Sequence, residues 1–230
     1  ELEGEFLSRT DEQSIDFLVV PEKDESPESI SAKKAHHILA AVASREHIDH
    51  LMDRFGMLGF QPKFIGAAAL ATSSLSTVPS LIPEERPIAI LDLGHKYSHL
   101  CVLHHKTIPS FARTLERGGY DLNHFLAQKR EISICEASAL KHQAVLIDEA
   151  EAFTYSDEAK QVSADLKEAL RPLIRDLRQT LLAAMSRSGA QATHIVLMGG
   201  GSRLSGIDRF LESELGIKVS FWNPSDSEWI

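Results

Sequence analysis

The chain has 230 residues, 43% hydrophobic and 25% charged, with a formal net charge of −9. Such a length is one large domain or two small ones, and it suffices to bury a core without disulfides or metals. The acidic balance excludes a non-specific nucleic-acid binder, and no apolar run approaches the ~18 residues that cross a bilayer. Two cysteines, Cys101 and Cys135, point to a reducing compartment rather than a disulfide framework. The charge is uneven. Residues 1–30 hold ten acids and two bases, and the rest is close to neutral. The chain opens on a polar stretch without an initiator Met or a signal-peptide pattern, as an excised piece would.

Residues 14–20 (SIDFLVV) read as a strand, and 21–34 as a polar loop. Residues 36–43 (HHILAAVA) read as a buried strand. Ser44 stands where an N-cap belongs. Ile48, Leu51, Met52, Phe55 and Leu58 then follow at helical spacing, and Gly59 stops the helix. A short strand at 63–65 and a helix at 66–75 are expected next. The proline-containing stretch 76–86 reads as a linker, which divides a small α/β subdomain (1–83) from a larger one (84–230).

The larger part opens with a strand at 87–93 (PIAILDL), a turn at 94–96, and strands at 97–104 and 107–115. Gly118 and Gly119 break the sheet, and a helix is expected over 121–128. Ser133 and Glu136 form a capping-box pair for a helix reaching residue 143. Residues 148–158 read as the start of a further helix. Leu166, Leu170, Leu173, Ile174, Leu177, Leu181, Leu182 and Met185 make one helical stripe, which Pro172 should kink or restart. A strand (194–198), a glycine turn (199–201), a helix (204–215) and a strand (218–221) complete the chain.

Two turns have phosphate chemistry. At the first, Asp92 closes a buried strand and Gly94 reverses the chain. Backbone N–H groups at such a turn can cradle phosphate, and the acid can hold Mg²⁺ through water. A plain β-turn with a solvated Asp fits the same pattern. At the second, Gly199, Gly200, Gly201 and Ser202 lie between a strand and a helix N-terminus. Close backbone approach to an anion is one reading, and glycine-permitted packing is the other. Neither a P-loop nor a dinucleotide fingerprint is present.

Other clusters are weaker. His47, His50 and Asp53 share a helix face, but nothing else has ligand spacing, so no metal site is assigned. Arg171, Arg175 and Arg178 repeat along the long helix. Such a stripe suits an acidic partner or a nucleotide, although a solvated face is its commoner origin. Cys101 and Cys135 read as small core residues.

The ordered set of a DxG hairpin, Gly-Gly-helix, Lys141, a long helix, a strand and Gly-Gly-Gly-Ser resembles the second half of the actin-like ATPase (ribonuclease H-like) fold. The text is closest to the GspL/PilM branch of type II secretion and type IV pilus assembly. IAILDLGHKYSHLCVLHHKTIPSFARTLERGGYDL, RPLIRDLRQTL and HIVLMGGGSRLSGIDRFLESELGIKV carry the match. DEQSIDFLVV and HILAAVASREHIDHLMDRFGMLGFQPKFIGAAALA resemble the branch's small inserted subdomain.

The resemblance implies a nucleotide cleft with Asp92, Gly94, His95, Lys96, Ser98, Lys141, Gly199, Gly200, Gly201 and Ser202 on one wall. Three departures limit it. Nothing matches the family's first DxG hairpin. His95, Lys96 and Tyr97 stand where small or hydroxyl residues are usual. Ser138 replaces the Glu of the Ala-Glu-x-x-Lys helix. ATP and Mg are therefore expected only in the full-length protein, without hydrolysis, and no catalytic residue is assigned. FARTLERGG and PLIRDLRQTL lean towards a GspL-like scaffold of a type II secretion platform. A PilM-like pilus component binding ATP and a short membrane-protein tail is the alternative, and a cell-division tether a further one. The implied partners are an assembly ATPase and inner-membrane platform proteins, with a homodimer as an option. The implied location is the cytoplasmic side of the bacterial inner membrane.

Overall fold

The computed structural model describes residues 12–20, 37–77, 87–105, 108–189 and 191–222. Most of the acidic leading segment, the 78–86 part of the expected linker and the 106–107 hairpin tip lie outside the described residues. The chain forms two compact units, Glu1–Ala67 and Ala68–Ile230.

In the first unit, strand β1 (Gln13–Val20) pairs antiparallel with β2 (His37–Ser44). Ser44 accepts a hydrogen bond from the His47 amide (3.5 Å) and so starts helix α1 (Arg45–Met57). Gly59 follows the helix at φ 77°, as its position in sequence implies. Two expectations differ. β2 is half-buried to exposed rather than buried, since β1 is its only partner among the described residues. Residues 63–65 are irregular, with no strand to pair with among the described residues.

The second unit is built on a five-stranded sheet of order β5-β4-β3-β6-β7. The strands are β3 (Ile88–Leu93), β4 (Ser98–His105), β5 (Ile108–Leu115), β6 (His194–Met198) and β7 (Lys218–Phe221). β3 is central, antiparallel to β4 and parallel to β6. Its unbroken apolar run follows from cover on both faces. Ala89, Leu91 and Leu93 join the main core, while Ile88 and Ile90 join Cys101, Leu103 and Val196 behind the sheet. Burial there pushes the Cys101 thiol up to about 11, as suits an inert core residue.

The expected helix at 66–75 is a short helix α2 (Ala68–Ala71) followed by a 3₁₀ turn, Thr72–Thr77. Both pack on strands of this sheet. The boundary between units therefore falls at Ala67 and Ala68, ahead of the position 83 read from the prolines. Helices α3 (Gly119–Arg130), α4 (Ile134–Gln143), α5 (Asp157–Ser188) and α6 (Ile207–Leu215) complete the unit. The Ser133–Glu136 capping box forms as its spacing predicts.

α5 corrects a reading. Pro172 does not start a new helix, for α5 runs 32 residues through it. An interior proline costs about 3 kcal/mol. Leu166, Leu170, Leu173, Ile174 and Leu177 are all buried around it. At roughly 1.5–3 kcal/mol each, that burial outweighs the lost hydrogen bond. Towards its end the stripe shifts: Leu181 packs on the core and Thr180 and Ala184 are buried, whereas Leu182 and Met185 are exposed. Residues 148–158 hold a 3₁₀ turn, Glu149–Thr154, before Ser156 caps α5. The helix expected from 204 starts at Ile207, because the Ser205 carbonyl is taken by the Leu146 amide (2.8 Å).

The end of α3 is tied to α5 through Asp165, whose side chain is buried. It accepts from Arg130 Nε (2.9 Å) and Gln161 Nε2 (3.2 Å), and Lys129 Nζ lies at 3.1 Å. Burial alone would raise this carboxyl, but the hydrogen bonds from Lys129, Arg130 and Gln161 outweigh it and hold it below its ordinary value. The ion pair then contributes stability that is complete above the ordinary value of 3.8 and is lost as pH falls through the depressed one. Asp165→Asn should cost about 2–3 kcal/mol at neutral pH, less than a fully buried pair because the cations reach solvent. Urea titrations from pH 6 down to 2 check this. The wild type should lose its advantage only in the acid range, and a pH-independent gap would contradict the assignment.

Candidate functional site

The site forms where three glycine turns crowd the end of β3. Gly199, at φ 87°, lies so close that an added Cβ would stand 2.2 Å from Asp92 Oδ1 and 2.7 Å from the Leu93 carbonyl oxygen. A Cβ on Gly201 would meet the Leu93 side chain at 2.5 Å. A Cβ on Gly118 would meet the His95 carbonyl oxygen at 2.4 Å. In this structure, then, close packing accounts for Gly118, Gly199 and Gly201. Gly200 differs, for a Cβ there meets nothing within 4 Å.

The turn after β3 feeds its carbonyls to α3. The Gly119 amide donates to Gly94 O (2.9 Å) and the Tyr120 amide to His95 O (2.7 Å). These bonds satisfy donors that a helix N-terminus otherwise leaves open. The Asp121 carboxylate also accepts from the Gly118 amide (2.8 Å). An edge-on contact between the His95 and Tyr120 rings, with centroids 5.5 Å apart, packs the turn on the helix.

A cavity of about 320 Å³ opens beside these turns, at the small end of the range for ligand sites. Of the residues expected at a cofactor, Gly94, His95, Lys141, Gly200 and Gly201 line it. Asp92 and Gly199 stand against each other and do not line it. Ser98, Lys96 and Ser202 do not line it. Ser98 is buried and donates to the Arg117 carbonyl (2.6 Å), so it braces the hairpin. Lys96 lies over the Tyr120 ring at 6.0 Å, and the Ser202 hydroxyl donates to Gly199 O (2.7 Å).

Lys141 enters from α4. Its Nζ donates to the Gly119 carbonyl (3.0 Å), and burial holds its pKa below the ordinary lysine value. A half-buried ammonium that donates to a backbone carbonyl suits an incoming anion. Asn123, from α3, also lines the cavity, and its buried Oδ1 has no partner among the described residues. A ligand donor would satisfy it. Gly119, Leu122, Asn123, Ser138, His142 and Arg203 line the cavity as well. Asn123 and His142 gave no signal of their own in the sequence. Gly119 and Arg203 adjoin glycine turns and could have been inferred from that.

The chain resembles known structures of one kind. It matches a chain of the "PilM-PilN type IV pilus biogenesis complex" with a TM-score of 0.77 at 19% identity, over 98% of this chain and 60% of that one. It matches MreB5 of Spiroplasma citri bound to AMPPNP with a TM-score of 0.57 at 14% identity, over 80% of this chain and 61% of that one. The ADP-bound form of MreB5 gives 0.54 at 13% identity, over 79% and 61% of the respective chains. The fold is thus α/β, of the actin-like ATPase class. The model of the family described as type IV pilus assembly protein PilM matches residues 8–228, and the chain belongs to that family. It spans about 60% of the length of the solved chain from the PilM-PilN complex. The family match falls on the pilus alternative rather than on the secretion reading.

The packing predicts a contrast between neighbours. Gly199→Ala should destabilise the unit by about 2 kcal/mol or more, through backbone strain at positive φ and overpacking against Asp92. Gly200→Ala should leave stability within about 0.5 kcal/mol. Chemical denaturation of both variants checks this, and equal losses would contradict the close approach.

Proposed function

We propose that this chain carries one wall of a nucleotide site and serves as a PilM-like component of a type IV pilus machine at the cytoplasmic face of the inner membrane. The observation that supports it is the convergence of Gly94, Gly119, Lys141, Gly200 and Gly201 on one cavity in a chain of the PilM family. The residues suit ATP with Mg²⁺. Amides of the turn after Asp92 would face phosphate oxygens, Lys141 would balance their charge, and the backbone at Gly200 and Gly201 would lie along the nucleoside. Asp92 would orient water bound to Mg²⁺, which in turn would neutralise phosphate charge.

In this reading the site holds nucleotide, and Ser138 lines it where the family pattern has Glu. Bound nucleotide would set the conformation in which the protein engages a membrane-platform protein, as PilM and PilN share a complex in the related structure. Among the described residues no helix is long and apolar enough to cross a membrane.

Calorimetry on the full-length protein tests the reading. It should show saturable Mg-ATP binding, weakened at least tenfold by Lys141→Ala and less by Lys141→Arg. Asp92→Ala should remove the dependence on Mg²⁺. An absence of ATP binding by the folded wild type would reject it.

A further inference from the structure

A second and larger cavity, of about 690 Å³, lies between α5, the 146–149 segment and α6. It shares no lining residue with the cavity at the glycine turns. Its apolar part comes from Leu146, Ile147 and Ile174, all buried, and from the partly buried Phe210.

Five cations line it: Lys167, Arg171, Arg175 and Arg178 from α5, and Arg209 from α6. Two of them hold the walls. Arg178 donates to the Glu214 carbonyl and carboxylate, and Arg209 pairs with Glu151 at 2.8 Å. The other three make weaker ion pairs or none among the described residues, and with five cations against Asp148, Glu149 and Glu214 the lining stays net positive. Lys167 Nζ donates to the Ile147 carbonyl (2.7 Å) rather than to a carboxylate. Arg175 has the carboxylate of its neighbour Asp176 at 3.8 Å, and Arg171 has no ion pair among the described residues. The lining acids are Asp148, Glu149 and Glu214. Asp148 is engaged with the Ala150 amide (3.0 Å) and Glu214 with Arg178.

The spacing of the three cations carries the argument. They stand at i, i+4 and i+8 on one helix, so successive Cα atoms rise about 6 Å along the axis. In an extended peptide, side chains on one face recur about every 6.6 Å. Three alternate carboxylates can therefore meet Lys167, Arg171 and Arg175 in turn. The interleaved side chains then face the opposite wall, where Phe210 lies. We propose that this cleft docks an extended, acidic segment of a protein partner, with carboxylates at alternate positions and apolar side chains between them. Arginine favours such paired recognition because its planar fork matches a carboxylate. A nucleic acid has similar phosphate spacing, but the apolar lining between the cations favours a peptide.

Fluorescence anisotropy with the full-length protein tests this. The probe is a labelled eight-residue peptide alternating Glu and Leu, its control carries Gln for Glu, and a salt series and a competing oligonucleotide are included. The acidic peptide should bind, weaken steeply with salt, and bind at least tenfold tighter than the Gln control. Arg171→Glu with Arg175→Glu should reduce binding at least tenfold, while circular dichroism and Mg-ATP affinity stay unchanged. Lys63→Glu, an exposed position of the first unit outside the cleft lining, should have no effect. Absence of binding, equal binding of the two peptides, insensitivity to the double reversal, or stronger binding of the oligonucleotide would each overturn the proposal.

Discussion

Three glycines, Gly118, Gly199 and Gly201, pack directly on residues 92–95. The end of β3 has Gly199 and Gly201 pressed on it from β6, and Gly118 pressed on the turn that follows. Backbone meets backbone here because no side chain separates them. The consequence is positional. The starts of α3 and of the 3₁₀ turn Gly200–Arg203 are both fixed relative to one strand end. A cavity whose walls come from turns would otherwise be loose. This one is tied at Gly94 and His95 by amide bonds and at Asp92 by contact.

The rest of the unit holds that strand in place. β3 is central in the sheet and buried on both faces, so its end cannot drift without opening the core. α5 crosses the main core face with seven buried apolar side chains, enough to carry a proline within it. Asp165 and its cations fasten α3, the helix whose first residues meet the β3 turn, to α5. Core burial, one ion-pair cluster and three glycine contacts thus converge on a single geometry. Lys141 depends on that geometry, since its Nζ reaches the cavity against the carbonyl of Gly119.

Much of this was legible in the sequence. Strands β3, β4, β6 and β7 are marked by apolar runs bounded by glycine or proline, and the Ser44 and Ser133 caps by residue type and spacing. The two phosphate turns were visible as Asp92-Leu93-Gly94 and Gly199-Gly200-Gly201. Other features depend on tertiary contacts. Pro172 breaks helices by its local chemistry, and only the buried leucines around it decide otherwise. Ser98 looks like a ligand residue until the hairpin places its hydroxyl on Arg117. Asn123 is an ordinary helix polar residue in sequence, and its unpartnered Oδ1 exists only once α3 is docked. The arginine stripe on α5 likewise reads as a solvated face. The walls supplied by α6 and by residues 146–149 turn it into a cleft.

The central claim is that the turns around the end of β3 hold a nucleotide. Amide chemical-shift mapping on the full-length protein, titrated with a non-hydrolysable Mg-ATP analogue, tests it most directly. The account predicts saturating shifts at Gly94, His95, Gly119, Lys141, Gly200 and Gly201, with the amides of the α5–α6 cleft unmoved. Saturating shifts confined to other parts of the protein would contradict it.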